Sequence, residues 1–235
     1  MLPIRVAQYL APLLFIGWVG LIPVARAAAG EGSLEKAILY EEMTKSAGDS
    51  STAGKAVDGS VAWRFIENGA DGPAIEADLQ IPERKLKVKL IVHKNLDQSL
   101  PASHLIEIRV DARVRRISEV RGIIMKETEQ AAGAPLAGLA AKVTSQLFWI
   151  ALSASPEDLG LNLALLRKRD WIDMPFVYED GQRAILTFEK GAAGEKVLRA
   201  ALAAWEGSSG TAAPPPAAAD IDQLQPTISV PKPAQ

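Results

Sequence analysis

From Ser60 to Val110 the chain is governed by a period of two. Val61, Trp63 and Phe65 alternate with Ser60, Ala62 and Arg64. Ile75, Ala77, Leu79 and Ile81 alternate in the same way until Pro82. Leu86, Val88, Leu90 and Val92 stand against Lys85, Lys87 and Lys89; Ile106, Ile108, Val110 and Val114 stand against Glu107, Arg109, Asp111, Arg113 and Arg115. Successive side chains of a strand point to opposite faces, so this pattern predicts strands with one face buried and the other in water. Ala37 to Tyr40, Ile123 to Met125, Leu139 to Val143 and Leu147 to Leu152 are further strand candidates, and Trp149 lies in the last of them.

Two stretches follow a helical period instead. Ser155 is suited to an N-cap, Pro156 to the first helical position, and Glu157 and Asp158 to the positive end of the helix dipole. Leu159, Leu163 and Leu166 then define one apolar stripe, and Arg167, Lys168 and Arg169 load the C-terminal end. Leu198, Leu202 and Trp205 mark a second helix from about Gly194 to Trp205. Between the helices, Trp171 to Tyr178 and Arg183 to Phe188 are apolar runs joined through Asp180-Gly181, a hairpin signal. Strands that follow strands through short polar links favour antiparallel pairing, and alternating βαβ units are missing. The expected fold is α+β: a mainly antiparallel β-sandwich or curved sheet with two helices, at about 156–169 and 194–205.

The ends have a different character. Arg5 precedes an uncharged run from Val6 to Ala25, Pro23 breaks it, and Ala25-Arg26-Ala27 offers an A-x-A cleavage site. Those are the three parts of a secretory signal peptide, expected at 1–27, with an uncleaved membrane anchor as the alternative. Its removal takes two arginines and no acid, which leaves the rest two units more acidic than the net −2 of the whole chain. Residues 207–235 are rich in proline and alanine, with Pro214-Pro215-Pro216 in their midst, and read as a disordered tail. A single domain is therefore expected at 33–206.

Little points to catalysis. The net charge of −2 argues against nucleic acid as a partner, and a chain with no cysteine has neither disulfides nor thiolate chemistry. Phosphate-loop, dinucleotide, nucleophile-elbow and zinc-protease motifs are all missing, so no cofactor is expected. Ser33-Leu34-Glu35-Lys36 has the S-x-x-K form without its usual partner motifs. Glu41 and Glu42 are adjacent on a strand and face opposite ways, so they cannot act jointly on one substrate. The two histidines, His93 and His104, flank a loop; a metal there would need a third ligand, and Asp97 is the nearest acid in sequence. They read as plain loop histidines, and Trp63, Trp149, Trp171 and Trp205 as core residues.

The most informative surface is basic. Lys85, Lys87 and Lys89 on one strand and Arg109, Arg113 and Arg115 on the next would share a solvent-facing side, interrupted by Glu107 and Asp111. Alternating charge is routine on a solvated sheet face. The functional alternative is an anion-binding face for lipid head groups, lipopolysaccharide or acidic glycans.

Several strings resemble an uncharacterised family of exported envelope proteins of alpha-proteobacteria: Tyr40-Glu41-Glu42, Val61-Ala62-Trp63-Arg64, Ile81 to Lys85, Ser99 to His104, Gly122 to Lys126, Pro135 to Val143, Arg183 to Gly191 and Gly194 to Trp205. From Gly122 onward the order of elements is also similar to the invasion-associated locus B family, which is exported and β-rich, although this chain lacks the cysteines usual there. Both resemblances imply export to the periplasm or cell envelope; neither supplies a catalytic motif. The expectation is an exported, non-enzymatic interaction module whose partner is an anionic envelope component or another envelope protein, touching membrane only through the leader or the basic face. An inner-membrane-anchored protein presenting this domain to the periplasm and a hydrolase with an unrecognised site are the alternatives. N-terminal sequencing of the envelope fraction should begin at Ala28; a chain that retains Met1 and fractionates with membranes would establish the anchor instead.

Overall fold

The computed structural model describes residues 33–42 and 54–207. The leader, the S-x-x-K motif's surroundings before Ser33 and the proline-rich tail beyond Gly207 lie outside the described residues. Strands β1 (Glu35–Glu42), β2 (Gly54–Gly69), β3 (Gly72–Ile81), β4 (Leu86–Lys94) and β5 (Ala102–Ala112) come first. Short strands β6 (Ile117–Val120), β7 (Ile124–Lys126), β8 (Ala134–Pro135) and β9 (Gly138–Lys142) precede β10 (Leu147–Ser153). Helix α1 (Pro156–Lys168), the hairpin β11 (Trp171–Tyr178) and β12 (Arg183–Glu189), and helix α2 (Gly191–Gly207) complete the fold. All these strands belong to one sheet, ordered β8-β7-β11-β12-β1-β2-β3-β4-β5-β10-β9, with β6 also on β11, and every pairing is antiparallel.

The sheet is the curved form of the two expected, not a sandwich. It curls into a half-barrel, and its far ends share one core. Trp63, Leu90 and Ile106 from the central strands line the same small interior cavity, about 30 Å³, as Met125, Ile172 and Phe188 from the other arm. A cavity of that size leaves the interior packed by side chains. Leu166 of α1 and Leu198 of α2 also reach it.

The register explains the core. Phe65, Ile75, Val92, Ile106 and Ile150 lie in one inward row, and Trp63, Ala77, Leu90, Ile108 and Phe148 in the next. β1 sits between β2 and β12, pairing Leu39 with both Val57 and Leu186. Trp63 donates from Nε1 to the Glu189 carbonyl at 3.0 Å, and a Cβ added at Gly194 would come 2.9 Å from its ring. Only glycine allows α2 to approach the indole that closely.

Both helices are held by lysines from strand ends. Lys190 is 1% exposed and donates to the Leu166 carbonyl at 2.9 Å, at the C-terminal end of α1. Lys94 donates to the Trp205 carbonyl at 3.0 Å, near the end of α2. Cations satisfy unpaired last-turn carbonyls and suit the negative end of a helix dipole. The opposite end of the curled sheet carries an ion cluster. Glu41, inward on β1, accepts from Tyr178 Oη at 2.9 Å and Arg84 Nε at 2.8 Å, with Arg115 Nη1 at 3.4 Å. The Arg115 guanidinium stacks on the Tyr178 ring at 3.7 Å. Burial and the Glu41 charge push the Tyr178 phenol pKa up.

Some expectations change in detail. Ser155 does cap α1, accepting from the Asp158 N–H at 3.2 Å, but the buried face is Asn162, Leu165 and Leu166 rather than Leu159, Leu163 and Leu166. Asn162 turns inward because its amide pairs with both the N–H and the C=O of Ala137, at 2.8 and 2.9 Å, as a strand neighbour would. Val114 is 64% exposed, since β5 ends at Ala112. Trp63 and Trp205 are core, whereas Trp149 is 37% exposed on the outer face. Trp205 donates to the Pro73 carbonyl at 2.8 Å and packs against His104, with ring centroids 4.7 Å apart and the planes tilted by 55°. Replacing it with alanine should cost about 3–5 kcal/mol. That corresponds to a Tm lower by roughly 10 °C in calorimetry.

Candidate functional site

The outward side chains of β2, β3, β4, β5 and β10 form rows across the convex face. Ile66, Ala74, His93, Leu105 and Ala151 make the first row, and Arg64, Glu76, Ile91, Glu107 and Trp149 the second. Ala62, Asp78, Lys89, Arg109 and Leu147 make the third, and Ser60, Gln80, Lys87 and Asp111 the fourth. Lys87, Lys89 and Arg109 are thereby brought together, as the alternation predicted.

Three members of the expected basic face lie elsewhere. Lys85 precedes β4 in a left-handed conformation (φ 49°), closing a 3-10 turn at Pro82–Arg84 with its N–H on the Pro82 carbonyl at 3.0 Å. Arg113 lies past the end of β5, 3.7 Å from Asp111. Arg115 turns into the Glu41 cluster and also donates to Asp180 at 2.6 Å. Alternation carries a side chain's direction only as far as the strand runs, and these residues stand beyond strand ends.

The face is a lattice of opposite charges. Glu76 holds Arg64 at 2.8 Å and Lys89 at 3.1 Å, and Asp78 holds the same two cations at 2.9 and 3.2 Å. Arg109 donates to Glu107 Oε2 at 2.9 Å. The directly opposed Lys89 and Arg109 are tolerated because each meets acids beside it. Among the described residues Lys87 makes no ion pair. Lys87, Lys89 and Arg109 line an open groove of about 490 Å³ together with Asp78, Asp111 and Gln146.

The histidines separate. Lys94 pairs with His104 and His93 with Leu105, so the two imidazoles point to opposite faces. His104 faces inward under α2, beside a cavity of about 360 Å³ that also touches Lys94, Ser103, Leu163 and Glu206. Asp97 is not with either ring: it accepts from the Ser99 N–H and hydroxyl within its own loop, at 2.9 and 2.7 Å. Those bonds hold its carboxyl below the usual range. His93 faces outward, 5% exposed, with Nδ1 2.9 Å from the Lys94 carbonyl. Its Nε2 is 3.6 Å from Glu107 Oε1, and a carboxylate oxygen of Asp71, in the β2–β3 turn, joins them within 4.8 Å.

Glu107 and Asp71 escaped the reading of the sequence as partners of a histidine. Glu107 is two residues from His93's cross-strand partner and therefore on its face, which the hairpin register alone would reveal. Asp71 carries no such signal. Among the described residues no helix is long and apolar enough to cross a membrane. No protein-family model, curated protein or solved structure matches this chain.

The His104 pKa is pushed down to about 4, first by burial and then by the charge of Lys94; Glu206 of α2 lines the same cavity. The ordinary value is 6.5, so the unfolded chain takes up this proton first. The contribution is complete above that value and declines as pH falls towards 4. Between pH 6.5 and 5 it should amount to about 2 kcal/mol. Urea midpoints across that interval should fall more for the parent than for His104→Gln.

Proposed function

We propose that this is an exported periplasmic or cell-envelope protein, a non-enzymatic module that binds an anionic envelope component through its convex sheet face. The observation that carries the reading is the groove of about 490 Å³ that Lys87, Lys89 and Arg109 line together. The signal-peptide pattern at 1–27 supports export, as does the resemblance of Val61-Ala62-Trp63-Arg64 and the other strings to exported envelope families.

The charge lattice sets the strength of such binding. An anion entering the groove meets Lys87, which has no competing ion pair among the described residues, but must share Lys89 with Glu76 and Asp78 and Arg109 with Glu107. Attraction is therefore short-ranged and modest, and ionic strength controls it. Binding to vesicles with about 30% phosphatidylglycerol should fade near about 0.5 M salt, where the Debye length is about 4 Å. Lys87→Glu combined with Lys89→Gln should lower binding at least about thirtyfold, since each of the two cations near an anionic surface contributes about 1 kcal/mol and about 1.4 kcal/mol is a factor of ten. The outward position of both residues predicts little change in Tm. Undiminished binding by this double variant, or no salt-sensitive binding by the parent, would overturn the assignment.

A further inference from the structure

We propose that Asp71, His93 and Glu107 form a binding site for a divalent first-row transition-metal ion, zinc above all. The site lies on the same convex face as the groove but does not depend on it.

The tautomer of His93 is the starting point. A carbonyl oxygen only accepts, so Nδ1 at 2.9 Å from the Lys94 carbonyl carries the hydrogen. In the neutral ring Nε2 then presents its lone pair. That atom is buried, in a side chain 6% exposed, and has no hydrogen-bond partner among the described residues. It faces Glu107 Oε1 at 3.6 Å, beyond hydrogen-bond reach, and the Asp71 carboxylate completes a trio within 4.8 Å. Three acceptor atoms thus converge with no donor among them. A buried polar atom left in that state is costly, and a cation between the three removes the cost.

Size and chemistry agree. Two ligand atoms that each sit about 2.0–2.2 Å from one ion are at most about 4.4 Å apart, and a tetrahedral pair is near 3.4 Å. The 3.6 Å of His93 and Glu107 falls in that range, and the exposed Asp71 can close the remaining few tenths of an ångström by a change of rotamer. One imidazole nitrogen with two carboxylate oxygens suits zinc or manganese better than calcium or magnesium, which prefer oxygen alone.

The surroundings hold the ligands as metal sites hold theirs. The Lys94 carbonyl fixes the ring of His93, and Arg109 holds Glu107 by its other oxygen, Oε2, at 2.9 Å. The turn that delivers Asp71 depends on Gly72, at φ +84°. Its partner Gly69 could not carry a Cβ, which would come 2.7 Å from the Gly72 carbonyl. Three protein ligands with one on the exposed side leave a coordination position open to water or to an exchangeable anion.

The test is calorimetric titration of the full-length, chelator-treated protein with zinc chloride. One site is expected, with a Tm about 5 °C higher at roughly a hundredfold excess over Kd. Asp71→Asn, in an exposed turn, and Glu107→Gln, which preserves shape, should each weaken binding at least about tenfold. His104→Gln should bind zinc as the parent does. In histidine-labelled protein, zinc should shift the Nε2 resonance of His93 and leave that of His104 in place. Absence of binding by the parent, unchanged affinity in both carboxylate variants, or equal loss in folded His104→Gln would each overturn the proposal.

Discussion

The alternation of side chains across β2 to β5 is the constraint on which the rest of this molecule depends. It sends Trp63, Ala77, Leu90 and Ile108 inward in one row. It sends Arg64, Glu76, Ile91 and Glu107 outward in the next. A slip of one residue would bring Lys89 and Asp78 into the core and leave Leu90 in water, so the hydrophobic gain fixes the register. The same register draws acids and bases into ion-pairing distance on the convex side and places Glu107 beside His93. Core and surface chemistry are two results of a single alignment.

Where alternation stops, polar chemistry closes the structure. One end of the curled sheet is filled by Glu41, Arg84, Arg115 and Tyr178, and the other by two helices whose last carbonyls receive Lys94 and Lys190. Breaking a buried pair of this kind leaves an uncompensated charge, which costs more than the pair contributes when intact. These clusters therefore enforce geometry more than they add stability.

The long strands and both helices were legible because each has a strong period and clear end signals. Ser155-Pro156 and Asp180-Gly181 fall where chain direction changes, and the hairpin turn has Gly181 at φ +84°. The mode of curling was not legible, because it depends on where β6 to β9 dock, and those strands are too short to carry a period. The site was half legible. Lys87, Lys89 and Arg109 followed from alternation within strands; the fate of Lys85, Arg113 and Arg115 depended on strand ends, which local pattern marks poorly. The His93 cluster needed a register between strands and the aim of a two-residue turn, neither of which is written in any one segment.

The position of β1 also orders events in time. It lies between β2 and β12, with Ala37 opposite both Gly59 and Phe188, partners separated by some 130 residues of chain. Pairing across such a span must await most of the sequence and makes folding slow. Until β12 arrives, one side of β1 offers unpaired amides and carbonyls, and Leu39 and Val57 have no Leu186 to cover them. A chain halted before Arg183 is thus an open-edged sheet, prone to recruit a strand from a neighbour. The last hairpin supplies β12, which covers that side of β1.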